Sequence, residues 1–391
     1  MSGFTTRALG QGDDEELGGA RPASPAIHAA ATFVWDDAEA LAETIRRGKD
    51  AGYVYTRWHN PTRAGLERVL AELERGEAAV SFASGMAAIS TTVAHFVRAG
   101  GHAVASPSLY GGSFSVFSSL LPRWGAEATF AASHRTEDML AALRPETSLL
   151  YTETIGNPLM PVPDLEELGA AARERGIPLV VDNTFASPYL CTPLALDASV
   201  VVHSTTKYIG GHSDLTGGIA IGDAETLRGI RELSIELGGT ANAWESWLAM
   251  RGVQTLALRM DRHVENARAL AALLEGHERV AAVWYPGLAS HADHEVASRL
   301  LAAPGGMLAF ELGGGLDSGR RFLDALEVAK VGASLGSTHT LVVHPPSVTH
   351  TQMSPQERAE IGISDGLVRV SAGIEDTPDL LEDFSRALEK A

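Results

Sequence analysis

The stretch Val200-Val-Val-His-Ser-Thr-Thr-Lys207 places a short apolar run directly before a polar run that ends in a lysine. A second stretch, Pro178-Leu-Val-Val-Asp182, has the same design and ends in an aspartate. Short β-branched runs of this kind predict buried strands, and the interval between Asp182 and Lys207 leaves room for one crossover between neighbouring parallel strands. Because ligands of open α/β sheets bind beyond the carboxyl ends of the strands, we expect this acid and this amine to face one site.

Working outward, helical and strand patterns alternate from Asn60 onward. Short apolar strands separated by helices predict an α/β fold with a parallel sheet that is covered on both faces. The predicted helices lie at 66–73, 86–96 and 165–175, and the predicted strands at 78–83, 102–106, 147–153, 178–182 and 199–203.

The chain divides into three parts by its composition and by its pattern of helices and strands. Residues 1–60 are irregular and punctuated by glycine and proline, which is typical of an arm that packs on something else. Residues 61–243 form the predicted large domain. Residues 244–391 form a smaller α+β domain that begins with a long helix over 245–274 and continues with strands near 280–285, 307–312 and 367–371.

Composition excludes several classes of partner. The 391 residues carry 31 Lys+Arg against 49 Asp+Glu, a net charge of −18, which opposes binding to nucleic acid and to anionic membrane surfaces. The N-terminal region contains the acidic run 13–16 and no signal-peptide pattern, and the apolar runs are too short to span a bilayer. The one cysteine, Cys191, excludes an intramolecular disulfide and a cysteine zinc site, so we expect a cytoplasmic protein.

A strand-to-helix turn at Ser84-Gly85-Met86 offers free backbone N–H groups and a hydroxyl, which suit a phosphate. The dinucleotide fingerprint is absent at this turn, and no P-loop pattern occurs in the chain. By themselves, Asp182 and Lys207 also fit a salt bridge at the sheet edge, and Ser84 also fits an ordinary helix cap. Together with the aromatic Tyr110, however, these groups describe a site for pyridoxal phosphate, in which the lysine forms a Schiff base and the acid meets the pyridine nitrogen.

Here a resemblance becomes specific. In order along the chain, a series of motifs looks like the Cys/Met-metabolism (trans-sulfuration) family of pyridoxal-phosphate enzymes, which includes methionine and cystathionine γ-lyases, cystathionine γ-synthase and O-acetylhomoserine sulfhydrylase. The resemblance runs from Phe4 to the last helix and implies a fold-type-I, aspartate aminotransferase-like fold, with a mixed, mostly parallel sheet in the large domain and a smaller α+β C-terminal domain. Its motifs are Tyr55-Thr-Arg57, Ser84-Gly85-Met86, Leu109-Tyr110-Gly-Gly112, Asn157-Pro158, Val180-Val-Asp182, Ser204-Thr-Thr-Lys207 and Val368-Arg369.

The resemblance also implies roles for these residues. Lys207 would hold the cofactor and move protons, Asp182 would keep the pyridine nitrogen protonated, and Tyr110 would stack on the ring and help protonate the leaving sulfur. The other cofactor contacts implied within the chain are Ser84, Gly85, Met86, Asn157, Ser204 and Thr206. Tyr55 and Arg57 would reach the phosphate from the neighbouring subunit, so that residues 1–60 become a subunit arm in a homotetramer. The implied substrate contacts are Tyr55, Tyr110, Asn157, Ser334 and Arg369, with the arginine on the α-carboxylate.

Two positions and one segment of the chain predict the substrate. The lyase for cystathionine, as the resemblance implies, grips the far end of its substrate with charges, whereas this chain has Ala333 before Ser334, Val54 before Tyr55, and no basic residue over 114–122. An apolar pocket suits a methyl thioether better than a second zwitterion, which is costly to desolvate. We therefore expect γ-elimination from L-methionine, with cystathionine γ-lyase, or γ-replacement by a cystathionine γ-synthase or O-acetylhomoserine sulfhydrylase, as alternatives.

Two positions depart from the methionine γ-lyase pattern, which this chain otherwise resembles most. The reactive cysteine of many of those enzymes is Gly112 here, and their Lys-Asp pair before the long helix is Ser234-Ile235.

Other readings of the sequence concern different chemistry. Gly332-Ala-Ser334-Leu-Gly336 matches the nucleophile elbow of serine hydrolases, with His339, His344 and His350 downstream, but the β-branched residues that follow do not predict the helix that an elbow requires. The group His291-Ala-Asp-His294 lacks a further metal ligand and is better read as a polar loop. A non-catalytic cofactor-binding protein is the third reading.

Overall fold

The computed structural model describes residues 3–10, 22–49, 51–348 and 363–391. The acidic run 13–16 and His350 therefore lie outside the described residues. The described strands form two sheets. In chain order they are β1 (Ala78–Phe82), β2 (His102–Ala105), β3 (Glu127–Phe130), β4 (Thr147–Glu153), β5 (Leu179–Asp182), β6 (Val200–His203), β7 (Gly218–Gly222), β8 (Val280–Trp284), β9 (Met307–Leu312), β10 (Lys330–Val331), β11 (Leu341–Val343) and β12 (Leu367–Ser371).

The larger sheet has the strand order β1-β7-β6-β5-β4-β2-β3. Strands β3, β2, β4, β5 and β6 run parallel to one another, whereas β7 runs antiparallel to both β6 and β1. This confirms the mixed, mostly parallel sheet that the sequence predicted. Its central strands are apolar at successive positions because side chains alternate between two buried faces. Val180 and Val200 enter one core cluster, and Val181 and Val201 enter the other.

The helices cover both faces of this sheet. Several of them begin with a side-chain cap. The side chain of Asn60 accepts hydrogen bonds from the first turn of α3, where Pro61 occupies the first helical position, and the Ser84 hydroxyl caps α4. The described α-helices are α1 (Phe4–Ala8), α2 (Ala38–Arg47), α3 (Pro61–Glu74), α4 (Gly85–Phe96), α5 (Gly111–Ser115), α6 (Leu121–Arg123), α7 (Thr136–Ala141), α8 (Leu165–Arg175), α9 (Ser187–Leu190), α10 (Ala224–Leu237), α11 (Ala243–Val253), α12 (Leu256–Glu275), α13 (His294–Leu300), α14 (Gly315–Asp324) and α15 (Thr377–Lys390).

The smaller sheet has the order β10-β11-β12-β9-β8 and is antiparallel except for the β10–β11 pair. Strands β10 and β11 are too short to leave a periodic pattern in the sequence, and they were not predicted. Helices α12, α14 and α15 pack on this sheet through a core of their own. The aspartate aminotransferase-like pairing of a large α/β layer with a smaller α+β layer is therefore present in the structure.

The helix expected over 245–274 is divided into α11 and α12. The break has a physical cause at Gly252, whose carbonyl accepts a hydrogen bond from the Arg259 guanidinium at 2.7 Å. A Cβ at residue 252 would lie 2.4 Å from the carbonyl oxygen of Gly210, so the end of α11 closes directly on the turn that follows Lys207.

The arm leaves much of its surface exposed in a single chain. Residues 22–60 include helix α2, a bridge between Thr32 and Tyr55, and a hydrogen bond from the Trp247 indole to the Pro25 carbonyl at 3.0 Å. Val34 is 94% exposed, although it is a large apolar residue. The contact of this arm with a neighbouring subunit stays a prediction. Among the described residues, no helix is long and apolar enough to cross a membrane.

Candidate active site

The carboxyl edge of the large sheet holds the predicted acid. Asp182 ends β5 and is buried, and its carboxylate accepts a hydrogen bond of 3.0 Å from the Thr184 N–H. The Thr184 hydroxyl in turn accepts a bond from the Ser204 N–H at 2.9 Å, which ties the ends of β5 and β6 together. Burial raises the pKa of Asp182, while the Thr184 hydrogen bonds and the nearby His203 act in the opposite direction. A buried carboxylate in this position favours a cationic partner such as a protonated ring nitrogen.

The predicted amine lies in the turn after β6. Lys207 Nζ donates a hydrogen bond of 2.5 Å to Ser334 Oγ, which belongs to the smaller domain's sequence. Burial lowers the pKa of Lys207, and the positive charge of Arg369 lowers it further. A lowered pKa gives a larger fraction of the unprotonated amine, which is the nucleophilic form in Schiff-base chemistry.

Arg369 lies in the middle of β12, where a solvent-facing side chain is otherwise expected. Its guanidinium instead donates to Asn157 Oδ1 at 3.0 Å and to the Ser334 carbonyl at 3.3 Å. Burial lowers the pKa of Arg369, and neither hydrogen-bond partner is a carboxylate. The guanidinium is thus oriented by neutral groups, an arrangement that suits the binding of a substrate carboxylate.

The Ser84-Gly85 turn forms an anion cradle. Ser84 Oγ accepts the Ala87 N–H at 3.1 Å, while the N–H groups of Gly85 and Met86 have no acceptor among the described residues. A Cβ at Gly85 would lie 2.8 Å from the Ser204 Cβ, so glycine allows the helix start to approach the β6 turn. Free N–H groups at a helix N-terminus are a phosphate site. Thr206 of the same turn bonds the Gly217 N–H through its hydroxyl at 3.0 Å.

Tyr110 caps the start of α5 and is 50% exposed, so its ring is accessible to a ligand. Its position is fixed by its backbone, since the Tyr110 N–H donates to Glu153 Oε1 at 2.7 Å. The ring also lies close to Met86, because a Cβ at Gly112 would meet Tyr110 Cε1 and Met86 Sδ, each at 2.4 Å. The structure therefore brings the cradle, the aromatic ring, the acid and the amine to one edge, and this donor set fits pyridoxal phosphate.

Tyr55 and Arg57 stand apart from this group within the single chain. The Arg57 guanidinium lies 5.6 Å from the centre of the Tyr55 ring and donates to the Ile235 carbonyl at 2.7 Å. Their role at a neighbouring subunit's phosphate stays a prediction. Ile235 belongs to the Ser234-Ile235 pair, one of the two positions where the sequence departs from the methionine γ-lyase pattern, so Arg57 contacts a position that differs from that pattern.

Two residues of this region were not identified from the sequence. Glu153 ends β4 just as Asp182 ends β5, so a strand that terminates in an acid was the available signal. Arg259 is buried on α12, and its guanidinium donates to the carbonyl oxygens of Tyr208 and Ile209 at 2.6 and 3.3 Å. It had no local signal, because its contacts are made with residues about fifty positions away.

Two of the competing readings, the serine hydrolase and the metal site at 291–294, find no structural support in the described chain. Ser334 is followed by bends and then by strand β11, so the helix of a nucleophile elbow is absent at this point. In the group 291–294, the Asp293 carboxylate accepts the Val162 N–H at 3.0 Å and contacts His134 at 3.1 Å. These contacts join two loops and account for the buried aspartate.

Comparison with known proteins agrees with this geometry. The family model for Cys/Met metabolism PLP-dependent enzymes matches residues 5–389. The L-methionine γ-lyase of Porphyromonas gingivalis is 40% identical, over 99% of this chain and 97% of that protein. The cystathionine γ-lyase of Bacillus subtilis is 42% identical, over 88% of this chain and 90% of that protein. The crystal structure of cystathionine γ-synthase from Xanthomonas oryzae superimposes with a TM-score of 0.92 at 38% identity, covering 100% of this chain and 98% of that one.

The family model spans nearly the whole chain, and the relatives span it at about 40% identity. The fold and the cofactor follow together: the protein is an enzyme of sulfur amino acid metabolism that uses pyridoxal phosphate. This chain belongs to the Cys/Met metabolism family of PLP-dependent enzymes.

Proposed function

We propose that this enzyme catalyses the γ-elimination of L-methionine to methanethiol, 2-oxobutanoate and ammonia. The observation that carries the proposal is the chain of contacts from Lys207 through Ser334 to Arg369, because it aligns an amine with a carboxylate-binding guanidinium. An α-amino acid presents its amino and carboxylate groups on one carbon atom. The spacing of the two protein groups around Ser334 suits that arrangement.

Each residue of the site has a distinct task in this proposal. Bound pyridoxal phosphate supplies an electron sink for the carbanions that form next to the amino group. Lys207 moves protons between Cα, Cβ and Cγ, for which its lowered pKa is suitable. Asp182 would keep the ring nitrogen protonated from its buried position. Tyr110 would stack on the ring and donate a proton to the departing sulfur, and Ser84, Gly85, Met86, Ser204 and Thr206 would hold the phosphate and ring.

The preference for methionine is supported by the apolar side chains around the expected distal pocket. Ala333 and Val54 occupy positions where a cystathionine-binding enzyme would carry acids. Phe114 lies one helical turn after Tyr110, is 41% exposed and stacks on Phe130 with ring centres 4.7 Å apart. A methyl thioether can contact these groups without losing hydrogen bonds to water, whereas a second zwitterion cannot.

A second candidate is γ-elimination or γ-replacement on cystathionine or O-acetylhomoserine. The observation that favours it is Gly112, which stands where many methionine γ-lyases carry a reactive cysteine. The relatives named cystathionine γ-lyase and cystathionine γ-synthase are about as similar to this chain as the methionine γ-lyase is.

The test is a parallel assay on the purified holoenzyme. Release of 2-oxobutanoate is measured from methionine, cystathionine, homocysteine and O-acetylhomoserine, the last with and without an added thiol. We expect the highest kcat/KM with methionine. The Ala333→Glu variant should lower the ratio of methionine to cystathionine turnover, whereas Ala333→Gln, which adds similar volume without charge, should not. Strong turnover of cystathionine with none of methionine by the unmodified enzyme would overturn the choice of substrate.

We also propose that two subunits complete each site, within a cytoplasmic homotetramer of active-site-sharing dimers. Tyr55 and Arg57 would then bind the phosphate of the neighbouring subunit, and the arm 1–60 would be the contact. Lys207→Ala and Arg57→Ala variants should each be inactive alone. Unfolding and refolding them together should restore part of the activity, because mixed dimers contain one site with both residues intact. If the mixture stays as inactive as its components, the shared site is wrong.

A further inference from the structure

We propose that Glu153 is a positioning residue that carries a proton in the working enzyme, holds Tyr110 in place beside the cofactor ring and leaves Asp182 as the single negative charge of the pair. The inference rests on the cofactor site of the proposed function but not on the choice of methionine as the substrate.

The geometry places Glu153 between two residues of the proposed machinery. It is paired in register with Asp182 across the parallel β4–β5 ladder, at the last position of both strands. Side chains of paired residues in neighbouring strands project from the same face of a sheet, so the two carboxyl groups are neighbours. On its other side, Glu153 Oε1 accepts the Tyr110 N–H at 2.7 Å. The side chain is almost completely buried, with 4% of the residue exposed.

Among the residues that the structure describes, no cation compensates Glu153. Its electrostatic surroundings are Asp182 on β5 and the Tyr110 N–H at the start of α5, while Tyr151 lies two residues earlier on the same face of β4. Burial raises the pKa of Glu153 well above its usual range, and the neighbouring Asp182 raises it further. Two adjacent buried carboxyl groups cannot both stay ionised, so one of them retains a proton.

The surroundings decide which of the two is neutral. Asp182 has the Thr184 hydrogen bonds, a hydrogen bond from Tyr151 and the nearby His203 to favour its ionised form. Within the described part of the chain, the carboxyl group of Glu153 has the single N–H of Tyr110 to favour its ionised form. A protonated cofactor ring nitrogen that faces Asp182 would further favour the ionised form of the aspartate over that of the glutamate. The proton therefore resides on the glutamate.

Two consequences follow for the site. A neutral Glu153 leaves Asp182 as the one negative charge that faces the ring nitrogen, without repulsion from a second carboxylate. The hydrogen bond from the Tyr110 N–H also fixes the start of α5, and with it the ring that stacks on the cofactor. Removing the acceptor leaves that N–H without a partner and frees the turn to move.

Three substitutions at one position separate these roles. Glu153→Gln is neutral and keeps an oxygen for the Tyr110 N–H. Glu153→Asp keeps the acid but is one methylene too short to reach, and Glu153→Ala removes the contact. The matched control is Glu127→Gln on the exposed edge strand β3, where the glutamate pairs with Arg144 at the surface.

Two readouts follow the cofactor itself rather than activity alone. The dissociation constant of pyridoxal phosphate is measured by titrating the apoprotein and following the visible absorbance. The circular dichroism of that absorbance band reports how rigidly the ring is held. We expect Glu153→Gln and Glu127→Gln to match the unmodified protein within about three-fold. Glu153→Ala and Glu153→Asp should weaken cofactor binding at least ten-fold and reduce the dichroic band.

The outcomes discriminate clearly. If Glu153→Gln is as impaired as Glu153→Ala, then an ionised carboxylate is required and the inference is overturned. If all three variants match the unmodified protein, Glu153 has no positioning role. The glutamine variant keeps the test decisive should the alanine variant fail to fold. An unmodified protein that binds the cofactor but releases no 2-oxobutanoate from any substrate would contradict the proposed function and leave this inference standing.

Discussion

Lys207 and Ser334 meet across 127 positions of sequence, with Nζ 2.5 Å from Oγ. The serine has a positive φ of 92°, a region that residues with a Cβ rarely occupy. Its carbonyl accepts a hydrogen bond from Arg369, and the next residues pack so closely on the lysine turn that a Cβ at Gly336 would lie 2.6 Å from the Tyr208 nitrogen. Contacts on both sides therefore hold Ser334 in a strained conformation at the centre of the site.

Removing the Ser334 hydroxyl should impair catalysis without unfolding the protein. Ser334→Ala loses the hydrogen bond to the Lys207 amine, a contribution of about 0.5–1.5 kcal/mol, so we expect kcat/KM to fall about three- to ten-fold. Ser334→Gly loses the same bond but relieves the backbone strain and should be more resistant to urea than Ser334→Ala by about 1 kcal/mol. Steady-state kinetics and urea denaturation measure the two effects separately. Equal urea resistance of the two variants would argue against strain.

Adding a side chain at Gly112 should disturb the ring of Tyr110. A Cβ there would lie 2.4 Å from both the Tyr110 ring and Met86 Sδ, whereas a Cβ at Gly111 would meet nothing within 4 Å. We therefore expect Gly112→Ala to weaken cofactor binding and lower kcat/KM about ten-fold, and Gly111→Ala to have little effect. The Met86→Ala substitution makes room for the added methyl group. Gly112→Ala should therefore cause a smaller loss when it is added to Met86→Ala than when it is made in the unmodified protein. Additive effects of the two substitutions would contradict a steric cause.

Arg259 should be essential to the turn that carries Lys207. Its guanidinium donates to the carbonyl oxygens of Tyr208, Ile209 and Gly252, and lysine cannot reproduce this fork of donors. We expect Arg259→Lys to lower the free energy of unfolding by about 2–4 kcal/mol, because it leaves buried carbonyls without donors. The control is Arg262→Lys on the same helix, where the side chain is 41% exposed. Thermal unfolding and urea denaturation compare the two.

His263 should make the protein less stable in mild acid. Burial lowers the pKa of His263 from 6.5 to about 4, so the unfolded chain binds a proton that the folded chain does not between these values. The stability contribution is complete above pH 6.5 and is lost as the pH falls toward 4. At pH 5 the loss is about 2 kcal/mol relative to pH 7.

The matched variant is His263→Asn, whose amide can still donate to the Ala372 carbonyl that the imidazole contacts at 2.7 Å. Urea denaturation at pH 7 and pH 5 should give a smaller drop for the variant than for the unmodified protein. Equal drops in the two proteins would assign the acid sensitivity to other groups.

Much of the fold could be predicted because its signals are local. The strands β5 and β6 are apolar at successive positions, and the polar residues after them mark the carboxyl edge of the sheet. The short strands β10 and β11 and the break between α11 and α12 were missed. They depend on pairing with β12 and on the fit of Gly252 to a distant turn, and neither leaves a pattern in neighbouring residues.

The sequence by itself determined the alternation of buried strands and helices around the site, the residue types at the carboxyl edge and the family, since each depends on residues within a few positions of one another. Strands β3, β7, β10 and β11 were not predicted. Only the tertiary structure decided that Ser334 is the partner of Lys207, that Asn157 orients Arg369, and that Glu153 stands beside Asp182. The physical reason is that hydrogen bonds and pKa values depend on burial and on distances of a few ångströms. Those quantities exist only after segments far apart in the chain have packed together.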